Sequence, residues 1–214
     1  MENFDCIISS MGGVASTSIM QSVDFACKCK INKNRFAAGT DPYKHAMKPQ
    51  KEWKTSKAVF IYGNPVISFF SFLGRGDNSI RTHLRNMGQF DQLEKIKYSK
   101  NVVEDVIKMA YNNEDIFNFE DMFNNWIHSK TDYPRLIVDY AWLLNTSQPD
   151  NKRIFESFID ERWRHSPKVT ERKTTFDEFN PRQRKQRIVV EEMYSTLIHD
   201  MNKIGGHKII DNQL

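Results

Sequence analysis

Near its start the chain reads Ser9-Ser10-Met11-Gly12-Gly13-Val14-Ala15-Ser16-Thr17-Ser18, glycines and hydroxyl residues set between an apolar run and a helical one. The first backbone N–H groups of a helix have no internal partner. Together with the helix dipole they form an anion site. Gly12 and Gly13 permit positive φ and a close approach of phosphate to the backbone. Val14 and Ala15 would add amides, and Ser16, Thr17 and Ser18 hydroxyl donors. No lysine lies between Ser9 and Val23, so the nucleotide-triphosphatase pattern G-x-x-x-x-G-K-[ST] is absent. On the residues alone, a purely structural turn is as good a reading as an anion cradle.

Such a turn needs a buried strand before it and a helix after it. Phe4–Ser9, Lys57–Tyr62 and Arg135–Asp139 are apolar runs of the kind buried on both faces of a parallel sheet, and Arg35–Gly39 is a weaker fourth. Helical patterns lie between them, over Ala15–Lys28, Pro65–Gly74, Val102–Tyr111, Phe119–Ile127 and Asn151–Arg164. A long amphipathic helix is expected from Pro181 to Lys203, closed by Gly205-Gly206, with Ile188, Met193, Leu197, Ile198 and Met201 as its apolar stripe. Alternating strands and helices imply an α/β domain. At 214 residues the chain is expected to form one domain, 1–214.

Bulk properties remove several function classes. A net charge of +4 without a clustered basic face gives no reason to expect nucleic acid. Cys6, Cys27 and Cys29 form neither a disulfide framework nor a zinc pattern, and the histidines lack paired spacing, so no metal is expected. With no signal-peptide pattern and no run of about 20 apolar residues, the expectation is a soluble, cytoplasmic protein without a membrane partner. Nothing in the sequence fixes the oligomeric state.

A second stretch, KAVFIYGNPVISFFSFLGRG, joins a buried strand to Asn-Pro and a serine-bearing helix. Farther on, FNFEDMFNNWIHSKTDYPRLIVDYAWLL sets a tryptophan-bearing helix before a strand that ends in tyrosine. With the glycine turn, these stretches resemble the sulfotransferase family in order and spacing, from Phe4 to about Leu144. That family carries a glycine- and Ser/Thr-rich 5′-phosphosulfate loop after strand one. It then has Arg-Asn-Pro with a serine eight positions after the arginine, as Ser71 follows Gly63 here, and later Tyr-Glu-x-Leu, where Tyr140 and Leu143 match. The resemblance implies a three-layer α/β/α fold with a central parallel sheet, like that of P-loop nucleotide kinases. It also implies 3′-phosphoadenosine 5′-phosphosulfate (PAPS) as donor and a small-molecule or carbohydrate hydroxyl as acceptor.

The chain departs from the family at three positions. Val14 stands about where the loop lysine belongs, Gly63 where an arginine contacts the 3′-phosphate, and Ala141 where the glutamate follows the tyrosine. The two missing cations would each have supplied about 1.5–3 kcal/mol of charge-assisted bonding. The expected replacements are Ser71 with Arg75, one helical turn on, and Arg172 and Lys173 from WRHSPKVTERKT, which resembles the family's basic C-terminal loop. His45, in Lys44-His45-Ala46-Met47-Lys48-Pro49, holds a place comparable to the family's Lys-Thr-His-x-Pro. It is the expected general base. Two alternatives stand beside this reading: a degenerate nucleotide-binding relative, and a P-loop nucleotide or nucleoside kinase.

Overall fold

The computed structural model describes residues 2–14, 16–32, 43–145, 147–160 and 179–211. A four-stranded sheet runs in the order β1 (Ile7–Ser10), β2 (Ala58–Tyr62), β3 (Arg135–Asp139), β4 (His207–Ile210). The first three strands are parallel, with Ser10 level with Ile61 and Tyr62 level with Asp139. Their carboxyl ends therefore share one edge, the usual place for a ligand crevice in an open α/β sheet. β4 pairs antiparallel with β3, so the sheet is mostly rather than wholly parallel. The outer side of β1 is closed by a bridge from Cys6 to Ile31 and by Asn32, whose side chain accepts from Ile8 N (2.7 Å) and donates to Ile8 O (3.0 Å).

Strand residues alternate between two cores, which is why both faces must be covered. Ile7, Phe60, Tyr62 and Ile137 face one side, where they meet α2 (Pro65–Leu73), α3 (Asp77–Asn86), α5 (Val102–Tyr111) and α6 (Phe119–His128). Ile8, Val59, Ile61, Leu136 and Val138 face the other, against α1 (Ser16–Ala26) and α8 (Pro149–Ile159). The short α4 (Phe90–Lys95) and α7 (Tyr140–Leu143) complete the connections. Trp126 of α6 is fully buried and stacks on Phe60 at 4.9 Å, with the planes 7° apart. An aromatic side chain buried in this way contributes on the order of 2–3 kcal/mol. The predicted strand Arg35–Gly39 and the sites Arg172 and Lys173 lie outside the described residues, as does Ala15. None of the described helices is long and apolar enough to cross a membrane.

The expected long C-terminal helix is two helices, α9 (Pro181–Met193) and α10 (Ser195–Ile204), which meet at Tyr194. Tyr194 is buried between Phe69 and Phe119, and its hydroxyl donates to Asp115 at 2.6 Å. That distant partner breaks a pattern that is continuous in the sequence. Ile188 leaves the expected stripe and stands 55% exposed, while Val190, Leu197 and Met201 are buried. The chain after Gly205 returns as β4 rather than ending with the helix. Gly206 has φ 102°, and a Cβ there would strike the Trp142 ring, so the turn admits only glycine.

Asp115 also accepts from Phe117 N (3.0 Å) and Phe119 N (2.7 Å). Burial nevertheless pushes its carboxyl up to about 6. The folded state then holds this proton more tightly than the unfolded chain, where the value is about 3.9. Stability from this group is present at low pH and is lost as pH rises through 6, a loss of roughly 2–3 kcal/mol by pH 8. The buried histidines act in the opposite sense, so the group must be isolated by difference. Chemical denaturation of Asp115→Asn and wild type should show the variant's stability improving, relative to wild type, from pH 5 to pH 8. A pH-independent difference would refute the shift.

Candidate functional site

The glycine turn lies at the shared carboxyl edge of the sheet, between β1 and the 11-residue α1. Gly12 and Gly13 have φ 91° and 70°, the left-handed conformations expected of them. Neither has room for a side chain. A Cβ at Gly12 would come within 2.7 Å of Phe72 and 2.9 Å of His83, and one at Gly13 within 2.8 Å of Ser68 Cα. Ser68 Oγ donates to Gly12 O at 2.9 Å and fixes the turn to α2. The turn is thus pressed against α2 and α3, with Gly12 and Ser16 buried and Gly13, Thr17 and Ser18 partly open.

Residues 43–46 cross this turn. The Lys44 carbonyl accepts from Ser10 N at 2.7 Å and from Ser9 Oγ at 3.2 Å. Trp126 Nε1 donates to Ala46 O at 2.8 Å, which holds the segment from the core side. Lys44 Nζ donates to Thr17 Oγ1 at 2.7 Å, although the lysine is only 5% exposed. The cation missing from the loop's own sequence therefore arrives from a residue 27 positions later. Sequence reasoning overlooked Lys44, although it sits beside His45 in the same short motif.

His45 Nδ1 lies 2.9 Å from Ser10 O and 3.3 Å from Ser10 Oγ. A carbonyl can only accept, so Nδ1 carries the proton and Nε2 is left as the acceptor. Ser10 Oγ in turn donates to Ser16 Oγ at 2.9 Å. Burial lowers His45 to about 4, with Lys44 and Arg75 acting in the same direction and the Ser10 carbonyl opposing them. The ring is therefore neutral at pH 7. His83 meets it edge-on at 4.8 Å and lies 3.9 Å from the Phe72 ring. Burial, His45, Arg75 and Lys44 hold His83 well below its ordinary value. Its buried Nε2 has no hydrogen-bond partner among the described residues. One signal could have marked it: Ile80, His83 and Leu84 form the buried stripe of α3, and a histidine on such a stripe needs a reason.

The other expected residues divide. Ser71 and Arg75 do meet, with the guanidinium donating to Ser71 Oγ at 3.1 Å and lying 5.2 Å over the Phe72 ring. Arg75 is near enough to bear on both histidines. Arg81 of α3 donates instead to the carbonyls of Ile96 and Ser99. Asn64 caps α2, accepting from Val66 N and Ile67 N, so the Asn-Pro pair has a structural task of its own. Val14 does not face the site; it is 4% exposed within the core on the α1 side. A Cβ at Gly63 would come within 2.7 Å of Val14 Cγ1. Val14 and Gly63 thus pack against each other. Asp139, at the end of β3, caps α7 by accepting from Ala141 N at 2.8 Å. Among the described residues no cluster of His, Cys, Asp or Glu could hold a metal ion.

No family model, curated protein or solved structure matches the chain.

The contact between Val14 and Gly63 can be tested directly. Gly63→Ala should cost about 1–3 kcal/mol by urea denaturation, as overpacked core sites do. In the Val14→Ala background the same change should cost at least 1 kcal/mol less, a coupling typical of touching residues. Additive effects would place the two side chains apart.

Proposed function

We propose that the protein is a sulfotransferase-like enzyme that takes 3′-phosphoadenosine 5′-phosphosulfate as donor. It would transfer the sulfuryl group to a hydroxyl of a small-molecule or carbohydrate acceptor. The observation that carries this reading is Lys44 Nζ on Thr17 Oγ1, which restores positive charge to a lysine-free glycine turn with His45 beside it. In this scheme the amides of Gly13–Ser18 and the Lys44 ammonium take the 5′-phosphosulfate. The Ser71–Arg75 pair takes the 3′-phosphate. His45 Nε2 accepts the acceptor's hydroxyl proton as that oxygen attacks sulfur. The bond from sulfur to the bridging phosphate oxygen breaks, and the charge left on the departing bisphosphate falls to Lys44 and the turn amides.

The packing of Val14 on Gly63 favours a second reading, a relative that keeps nucleotide binding and has lost the chemistry. The kinase reading has less support, because the turn lacks its own lysine and the Asp139 carboxyl is engaged as a helix cap.

Calorimetry with 3′-phosphoadenosine 5′-phosphate tests the donor site. Lys44→Ala should weaken binding about 10–100-fold, the loss expected of one charge-assisted contact. His45→Gln should retain binding and lose turnover. Since kcat/KM reports the free enzyme, its acid limb should lie near the lowered pKa of His45, with the rate sustained down to about pH 5. No heat from folded wild type at millimolar ligand would end the proposal. Binding without sulfated product would select the second reading, and Mg²⁺-dependent ATP turnover would select the kinase.

A further inference from the structure

Away from the glycine turn, α6, α10 and β4 line an open cavity of about 420 Å³, within the size range of small-molecule sites. Phe123, Ile127 and Ile204 form its apolar wall. Asn124, His128, Lys203 and Lys208 supply its polar side, and the sole carboxylate in the lining is Asp200. Asp200 is already committed to Lys203, at 2.8 Å. Lys208 makes no ion pair among the described residues, so its charge is the one left for a ligand.

Lys208, level with Ile137, faces the α6 side of the sheet, whereas His207, level with Val138, turns its side chain to the α1 and α8 side. The His207 ring stacks on Trp142 at 4.4 Å, and Nδ1 is buried without a hydrogen-bond partner among the described residues. The register of the sheet separates this cavity from the turn. His207 is level with Val138 on β3, and β4 lies three strands from β1, roughly 14 Å at about 4.8 Å per strand. An anion bound at the turn cannot also fill the cavity.

We propose that this cavity is a second ligand site, for a small organic anion with a flat apolar body. The body would lie on Phe123, Ile127 and Ile204, and the anionic group would meet Lys208. The cavity shares no residue with the glycine turn, so the two sites can be tested separately.

The test is a two-dimensional amide NMR titration of the full chain with 1-naphthoate, alongside acetate (charge without the body) and 1-naphthalenemethanol (body without the charge). Naphthoate should give saturable shifts at Ile127, Ile204, His207 and Lys208, with Gly12 and Gly13 unmoved. Acetate should bind at least tenfold more weakly. Lys208→Ala, a change at an exposed position, should weaken naphthoate at least fivefold and leave the alcohol unchanged. The proposal is overturned by an absence of saturable shifts at millimolar naphthoate, by shifts confined to residues 12–18, or by equal affinity in Lys208→Ala.

Discussion

Ser10 is the joint on which the site depends. Its N–H goes to the Lys44 carbonyl, its own carbonyl takes the His45 Nδ1–H, and its hydroxyl goes to Ser16. Each bond contributes only about 1 kcal/mol net. Their importance is positional, because together they lay residues 43–46 across the end of β1. Trp126 holds the same segment from the core through the Ala46 carbonyl, and Tyr133 holds the chain just beyond it through the Gln50 carbonyl. A loop segment tied at both ends in this way can present Lys44 and His45 as reproducibly as a helix could.

The turn beneath that segment is shaped by exclusion. Gly12 and Gly13 are required twice, once for positive φ and once because Phe72, His83 and Ser68 fill the space of a side chain. The same reasoning extends to Gly63. An arginine there would have to displace Val14, which belongs to the buried core on the α1 side. Under the proposed reading, the two absent cations would therefore be one linked departure. Restoring either alone would either overpack the Val14–Gly63 contact or place a charge in apolar surroundings. Lys44 and Arg75 would supply the charge from other segments instead.

Legibility in the sequence followed the range of the interactions involved. β3 and α5 fall where their patterns predict, because an apolar run and an i, i+3, i+4 stripe are local properties. The glycine turn was legible for the same reason. The bond from Lys44 to Thr17 joins residues 27 apart, and that from Tyr194 to Asp115 joins residues 79 apart. No spacing rule encodes either. The second of these divides a helix that reads as continuous, and the packing of His83 on Gly12 likewise appears only once α3 is folded against β1. Asn64-Pro65 shows the converse. The pair fits the sulfotransferase pattern, yet helix capping alone accounts for its types and order.

The electrostatics of the site follow from the same arrangement. Lys44 and Arg75 add to burial in holding His45 and His83 neutral, so both rings are poor proton acceptors in the free protein. A doubly charged anion seated between those cations and the turn amides would reverse the sign of the field at the rings. It would favour their protonated forms, since an opposite charge within a few ångströms raises a histidine pKa. His45 would then become a stronger base only when the donor is in place, and binding would take up protons. By linkage the reverse also holds: lower pH would tighten the anion. In the proposed site, Lys44 and Arg75 would thus link the binding of charge to the basicity of His45 beside them.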